Sequence, residues 1–203
     1  DKFIFNNFYM WSKKELDLYP TLKSKDKLNR KKLGKDIIIP NIPTNKTDQK
    51  YITNAIKYVE KHFPNNYGNT DNFIFPVSHK TANKFLRSFI KTKLNNFGKY
   101  QDAIRKDNVF LFHSLLSSAI NIGLLNPKDI IRLILKANAP INSTEGFIRQ
   151  LFWREYQRYC YIYYNFNNKN YFGNKKKLSN AWYSGNLNIE PVDISIKNGF
   201  KNG

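Results

Sequence analysis

Phe112-His113-Ser114-Leu115-Leu116-Ser117-Ser118-Ala119-Ile120-Asn121-Ile122-Gly123-Leu124-Leu125 is the stretch on which the fold class turns. From 109 to 125 the chain is apolar nearly all round, the pattern of a helix buried on every side. Its opening turns carry Ser114, Ser117 and Ser118. Residues three and four apart share a helix face. Free backbone N–H groups at a helix start attract phosphate, and hydroxyls there add donors. A pyrophosphate could sit on such a turn. Small serines also let helices pack closely, and on spacing alone packing is the commoner reason.

Helical patterns continue on both sides. Ile52, Ile56 and Val59 recur at helical spacing, with Asp48 as cap and Pro64 as stop. Ser78 caps a segment whose Ala82, Phe85, Leu86 and Phe89 form one stripe, and Phe97-Gly98-Lys99-Tyr100 breaks that pattern. Asn126-Pro127 places proline at the first position of a helix over 127–137. Asn142, with Glu145 three residues on, resembles a capping box that opens a long helix through Tyr164. A short helix lies within Phe3 to Trp11, followed by a Lys/Asn/Pro-rich connector to residue 48. Ile37-Ile38-Ile39-Pro40 reads as extended, because the residue before proline avoids the α region. Neither a sheet nor an internal repeat is legible. The expected fold class is all-α, with 1–48 as connector and 49–203 as the helical domain.

On the long helix, Gln150, Trp153, Arg154 and Gln157 fall on one stripe, beside an apolar stripe of Phe147, Ile148, Leu151 and Phe152. An indole and a guanidinium together suit stacking on a base and gripping a phosphate. An interface helix with Arg154 paired to a carboxylate fits the same pattern equally well. Tyr100 follows a glycine and could close over a flat ligand, though a core tyrosine is the plainer reading. His113 alone is more often a capping or core residue than a base. His62 and His79 show no partner spacing. Lys175-Lys176-Lys177 is either a phosphate contact or solvated charge. Asn142-Ser143-Thr144 matches a glycosylation acceptor and reads here as helix capping.

Composition narrows the class. With 203 residues and 41% apolar content, the chain can build one domain around a real core. Sixteen Phe and thirteen Tyr make that core strongly aromatic. The formal charge of +19 points to a polyanionic partner, nucleic acid ahead of an anionic membrane, although a Lys/Asn-rich compositional bias accounts for part of it. The single cysteine, Cys160, excludes an internal disulfide and a multi-cysteine metal site and fits a reducing compartment. No apolar run approaches a membrane span and no signal peptide opens the chain, so an intracellular, non-secreted protein is expected. It begins at Asp1 and ends on Asn198–Gly203 without a helix stop, and reads as a fragment or one piece of a split protein.

Several blocks, in order and in spacing, resemble the photolyase/cryptochrome superfamily, in particular the prokaryotic (6-4) photolyases of the iron–sulfur, photolyase-related branch. They run from Asp26-Lys27-Leu28-Asn29-Arg30 and Phe73–His79, through Phe97–Ile104 and Phe110–Ser117, to Ala139–Gln150 and Trp153-Arg154-Glu155-Tyr156. The resemblance implies an interdomain connector followed by the first part of a helical FAD domain. It implies that Tyr100 contacts the flavin and that Ser114, Leu115, Leu116 and Ser117 bind its phosphates. It sets Gln150 facing the damaged bases, Trp153 in the lesion pocket, Arg154 near flavin and DNA, and Trp182 as an electron relay. Lys175, Lys176 and Lys177 would touch the DNA backbone. Pro191 stands near the place of a cluster-ligating cysteine, which puts an iron–sulfur cluster in doubt; the antenna chromophore is unknown. The implied activity is light-driven reversal of pyrimidine photoproducts in UV-damaged DNA by electron transfer from reduced FAD, with this piece unable to repair alone. The alternatives are a cryptochrome-like photoreceptor, or a non-catalytic basic remnant or subunit that pairs with a separate chain carrying the rest.

Overall fold

A computed structural model describes residues 4–17, 28–71, 73–164 and 173–202. Among them every regular element is helical, so the all-α expectation holds. The chain divides into two compact units, Asp1–Thr44 with Phe75–Asn167, and Asn45–Ile74 with Asn168–Gly203.

The first unit is built on α1 (Phe5–Glu15), α3 (His79–Thr92), α4 (Leu94–Tyr100), α5 (Ser117–Asn121), α6 (Pro127–Lys136) and α7 (Ile141–Tyr163). Ser78 caps α3 by accepting from the Thr81 amide at 3.2 Å, and Thr81 completes the box in return. The stripe Ala82, Phe85, Leu86 and Phe89 then faces inward. Asn126 accepts from the Lys128 amide at 2.9 Å and opens α6, with Pro127 at its first position as expected. Ile130, Ile131 and Ile134 of α6 meet Phe147, Ile148, Leu151 and Phe152 of α7 in one core. Each such side chain contributes about 2 kcal/mol on burial.

Three expectations are corrected here. Gly98 does not break a helix; it lies inside α4. A Cβ at Gly98 would lie 2.6 Å from the Ser143 nitrogen of α7, so the absence of a side chain lets two helix backbones touch. Second, Asn142 and Glu145 do not cap α7, whose N-cap is Pro140 with no side-chain cap. Both are buried and bonded elsewhere: Asn142 Nδ2 donates to Asn29 Oδ1 at 3.1 Å, and the Tyr9 hydroxyl donates to Glu145 Oε1 at 3.0 Å. Ser143 likewise bonds across to α4, accepting from the Gly98 amide at 3.0 Å. Third, 109–125 is not one helix. Only Ser117–Asn121 is helical. Upstream, Asn108 Oδ1 accepts from the Phe110 and Leu111 amides at 3.1 and 2.8 Å, a local turn that competes with helix. Downstream, Gly123 (φ 81°) closes α5, with the Gly123 amide on Ile120 O and the Leu124 amide on Ala119 O. That is a Schellman stop.

A smaller cluster of Tyr100, Leu111 and Phe112 packs against Leu33, Ile37 and Ile39 of the connector. The start of the resembling stretch, Asp26-Lys27, lies outside the described residues.

The second unit holds α2 (Gln49–His62), α8 (Asn180–Ser184) and α9 (Glu190–Asn202). α2 ends at His62, just short of Pro64 as expected, and buries only Ile52. Gly185, at φ 65°, turns the chain between α8 and α9, and the Leu187 amide donates to Asp193 Oδ1 at 2.8 Å. Pro191 sits in the first turn of α9.

Candidate functional site

The site expected around Ser114 is an irregular passage followed by one helical turn. Leu111 (φ 40°) and Leu115 (φ 58°) bracket His113-Ser114 in the left-handed region. A branched side chain held there costs about 1–2 kcal/mol, so the packing on either side fixes this passage. Ser114 is half-buried and its Oγ accepts from the Leu116 amide at 3.4 Å. Leu116 is core, and Ser117 is exposed at the first position of α5. The Ser118 Oγ is buried without a hydrogen-bond partner. A five-residue helix has little macrodipole, so the charge needed to hold an anion here has to come from side chains.

The cation beside this passage is Lys93. Lys93 joins α3 to α4 and is only 5% exposed. It lines a small pocket with His113 and Ser114, floored by Phe85 and Phe89 and edged by Ile42 and Pro43 of the connector. Burial pulls the Lys93 ammonium below the ordinary lysine range. His113 is also pushed down, first by burial and then by the charge of Lys93, with Asp102 acting weakly the other way. Burial thus disfavours the charged form of both side chains. Sequence reasoning missed Lys93. The signal was there: Phe85, Phe89 and Lys93 are spaced by four, so the lysine continues an apolar stripe.

The long helix brings its polar stripe to the neighbourhood of α5. Arg154 Nε donates to Asn121 Oδ1 at 2.9 Å, tying the middle of α7 to the last residue of α5 rather than to the serines. Arg154 also pairs with Glu155, which takes Arg158 at 3.2 Å. The carboxylate-paired alternative for Arg154 is thus the observed geometry. Trp153 is 38% exposed, and one face of its indole lies on Phe5 of α1 at 3.7 Å between centroids and 9° between planes. Tyr156 meets it edge-on at 5.6 Å. Gln150 is exposed one turn earlier. Tyr100 is buried and stacks on Phe112 at 5.4 Å.

Trp182 and the three lysines belong to the second unit. Trp182 is 45% exposed on α8, and Lys175, Lys176 and Lys177 are exposed in the segment before it. No group of three or more His, Cys, Asp or Glu able to hold a metal occurs among the described residues. No described helix is long and apolar enough to cross a membrane.

Comparison with known proteins gives consistent results. Residues 2–75 match the family described as deoxyribodipyrimidine photo-lyase-related protein. The uncharacterized protein R853 of Acanthamoeba polyphaga mimivirus is 44% identical over 110 residues, 51% of this chain and 85% of that protein. A (6-4) photolyase of Agrobacterium fabrum is 37% identical over 171 residues. That match takes in 81% of this chain, a span too long to leave out residues 100–154, and 34% of the photolyase. A deoxyribodipyrimidine photo-lyase of Buchnera aphidicola is 26% identical over 137 residues, 61% of this chain and 28% of that enzyme. The chain thus spans about a third of the two photolyases.

Proposed function

The chain belongs to the photolyase-related family, and on that premise we propose that it is the first part of the helical flavin-binding domain of a light-driven DNA-repair enzyme of the (6-4) kind. The carrying observation is the polar passage His113 to Ser118, which leads into α5, together with an exposed Gln150–Trp153 surface on α7, whose Arg154 bonds Asn121 at the far end of α5. The residues present fit the phosphate end of a flavin dinucleotide. Ser118 Oγ is an orphaned buried polar atom, and Ser114 and Ser117 add hydroxyls within the same passage. When bound, reduced FAD supplies the electron that light drives into the photoproduct.

The chain's own residues do the holding. Gln150 presents an amide that can donate to or accept from a flipped base. Trp153 offers the base its free face and edge, because Phe5 already covers the other face. Arg154, half-neutralised by Glu155, orients α7 on α5 more than it grips phosphate. The net charge of +19, with Lys175 to Lys177 in an exposed segment, draws in the DNA backbone. Trp182 is assigned the electron relay by resemblance alone.

A second reading, a non-catalytic DNA-binding remnant or a subunit of a split enzyme, is favoured by R853. A stretch of 110 residues makes up 85% of that relative, so R853 is itself far shorter than a photolyase. The absorbance spectrum of the purified protein decides between the two. A bound flavin, with light-dependent repair of (6-4) DNA once the remainder of the domain is supplied, carries the first. A colourless protein that binds DNA with steep salt dependence carries the second. Repair by the 203-residue chain alone would overturn the second reading and the need for the remainder of the domain.

A further inference from the structure

α2 buries only Ile52, and its exposed surface is sorted by chemistry. At about 100° per residue, Lys50, Lys57 and Lys61 fall on one line along the helix. Tyr51, Tyr58 and His62 fall on the next line, about a quarter turn around. Buried Ile52 and half-buried Ile56 lie on a third, so the tyrosines stand between the anchored side and the lysines. All six side chains of the first two lines are exposed, Tyr51 at 67% and Tyr58 at 57%. The His62 ring leans on Tyr58 with 4.4 Å between centroids. Glu60, the one acid of the helix, lies beyond the lysines on the side away from the tyrosines, and accepts from Thr70 Oγ1 at 2.9 Å. No ion pair neutralises the three lysines among the described residues.

We propose that this face of α2 is a platform for single-stranded nucleic acid, with bases stacking on Tyr51 and Tyr58 and backbone phosphates following Lys50, Lys57 and Lys61. Aromatic faces beside a line of cations suit an unpaired strand, because every base has a π-face and every link a negative charge. The two tyrosines stand about 10 Å apart along the helix axis, room for about three bases stacked at 3.4 Å. The lysines run beside them for about 16 Å. A duplex offers its phosphates but hides its base faces, so the platform favours unpaired strands. A helix lying on an anionic membrane also sets lysine beside tyrosine, but it needs a broad apolar face to sink into lipid. Here part of the apolar line is already taken up inside the unit at Ile52. The inference goes beyond the function above and does not depend on it. It needs no lesion, light or flavin, and α2 belongs to a different unit from Gln150 and Trp153.

Fluorescence anisotropy of a labelled oligo-dT with the 203-residue chain tests it. Tyr51→Ala and Tyr58→Ala should each raise Kd about fivefold or more, the lower end for one lost base–aromatic stack, and leave the salt slope unchanged. Neither change empties a core, and far-UV circular dichroism checks that the helices persist. Replacing Lys50, Lys57 and Lys61 by Gln should lower the slope of log K against log salt by about 2, three phosphates' worth on a single strand. Tyr161→Ala is the control, since Tyr161 is as exposed as Tyr51 but lies on α7. It should leave Kd in place, as should both α2 tyrosine variants with an undamaged duplex. Unchanged oligo-dT affinity in Tyr51→Ala and Tyr58→Ala overturns the platform. So does an equal loss in Tyr161→Ala, or an equal loss on duplex. Flotation with phosphatidylserine vesicles tests the membrane; tyrosine-dependent vesicle binding without tyrosine-dependent oligo-dT binding overturns the proposal in its favour. Oligo-rU separates the two sources of strand: the same dependence on Tyr51 and Tyr58 extends the platform to RNA, and its absence restricts it to DNA.

Discussion

Two stretches of this chain carry polar clusters ahead of apolar residues, and the protein treats them oppositely. In 142–145 every polar side chain is buried and those of Asn142, Ser143 and Glu145 bond across to another segment. In 113–118 only Ser117 and Ser118 are helical, Ser118 Oγ has no partner, and the neighbouring Lys93 has no counter-ion among the described residues. The first cluster is a joint between helices. The second has donors and charge left over. Similar residue types in the sequence do not show which cluster finds its partners in another segment.

The joint should be the more fragile of the two. Gly98→Ala pushes a methyl into the Asn142–Ser143 backbone, which cannot step aside without moving α7. We expect a loss of about 3 kcal/mol or outright failure to fold, measured by urea denaturation. A variant within about 0.5 kcal/mol of wild type, roughly a twofold change in equilibrium, would mean that α4 and α7 are not held in such close contact. Next in size is Tyr9→Phe. It removes only a hydroxyl, but leaves buried Glu145 without the donor seen at 3.0 Å. The expected cost is about 2 kcal/mol, the range for a hydrogen bond to a buried charged group. Full stability in Tyr9→Phe would show that α1 is not locked on α7 through this bond.

Much of the fold was legible because it rests on local chemistry. Ser78 with the Phe85–Phe89 stripe, and Asn126-Pro127, announce their helices through capping and period, and both helices are present. The failures came where a distant partner decides. Gly98 looks like a breaker until the α7 backbone lies against it. Asn142 and Glu145 look like caps until Asn29 and Tyr9 claim them. The apolar run 109–125 looks helical because its period ignores the Asn108 turn and the Gly123 stop. At the candidate site, the serines and the α7 stripe were readable from spacing. Lys93 was not read, because a lysine ending an apolar stripe is ordinarily a solvated end. Only burial makes it a charge in a pocket.

The smallest effect sharpens the contrast from the ligand side. His113 has a lowered pKa in the folded chain, from burial first and from Lys93 second. Below the ordinary histidine range the unfolded chain therefore binds more protons than the folded one, and stability rises with pH across the interval between the folded value and 6.5. Acidification through that interval should cost stability. In His113→Gln the slope should flatten, and Lys93→Met should flatten it in part, because the charge contribution goes while the burial contribution stays. Melting curves taken across mildly acid pH provide the measurement. The joint contains no histidine, so Tyr9→Phe should leave the contribution of His113 to the slope in place. A slope that survives His113→Gln would place the acid-sensitive group elsewhere.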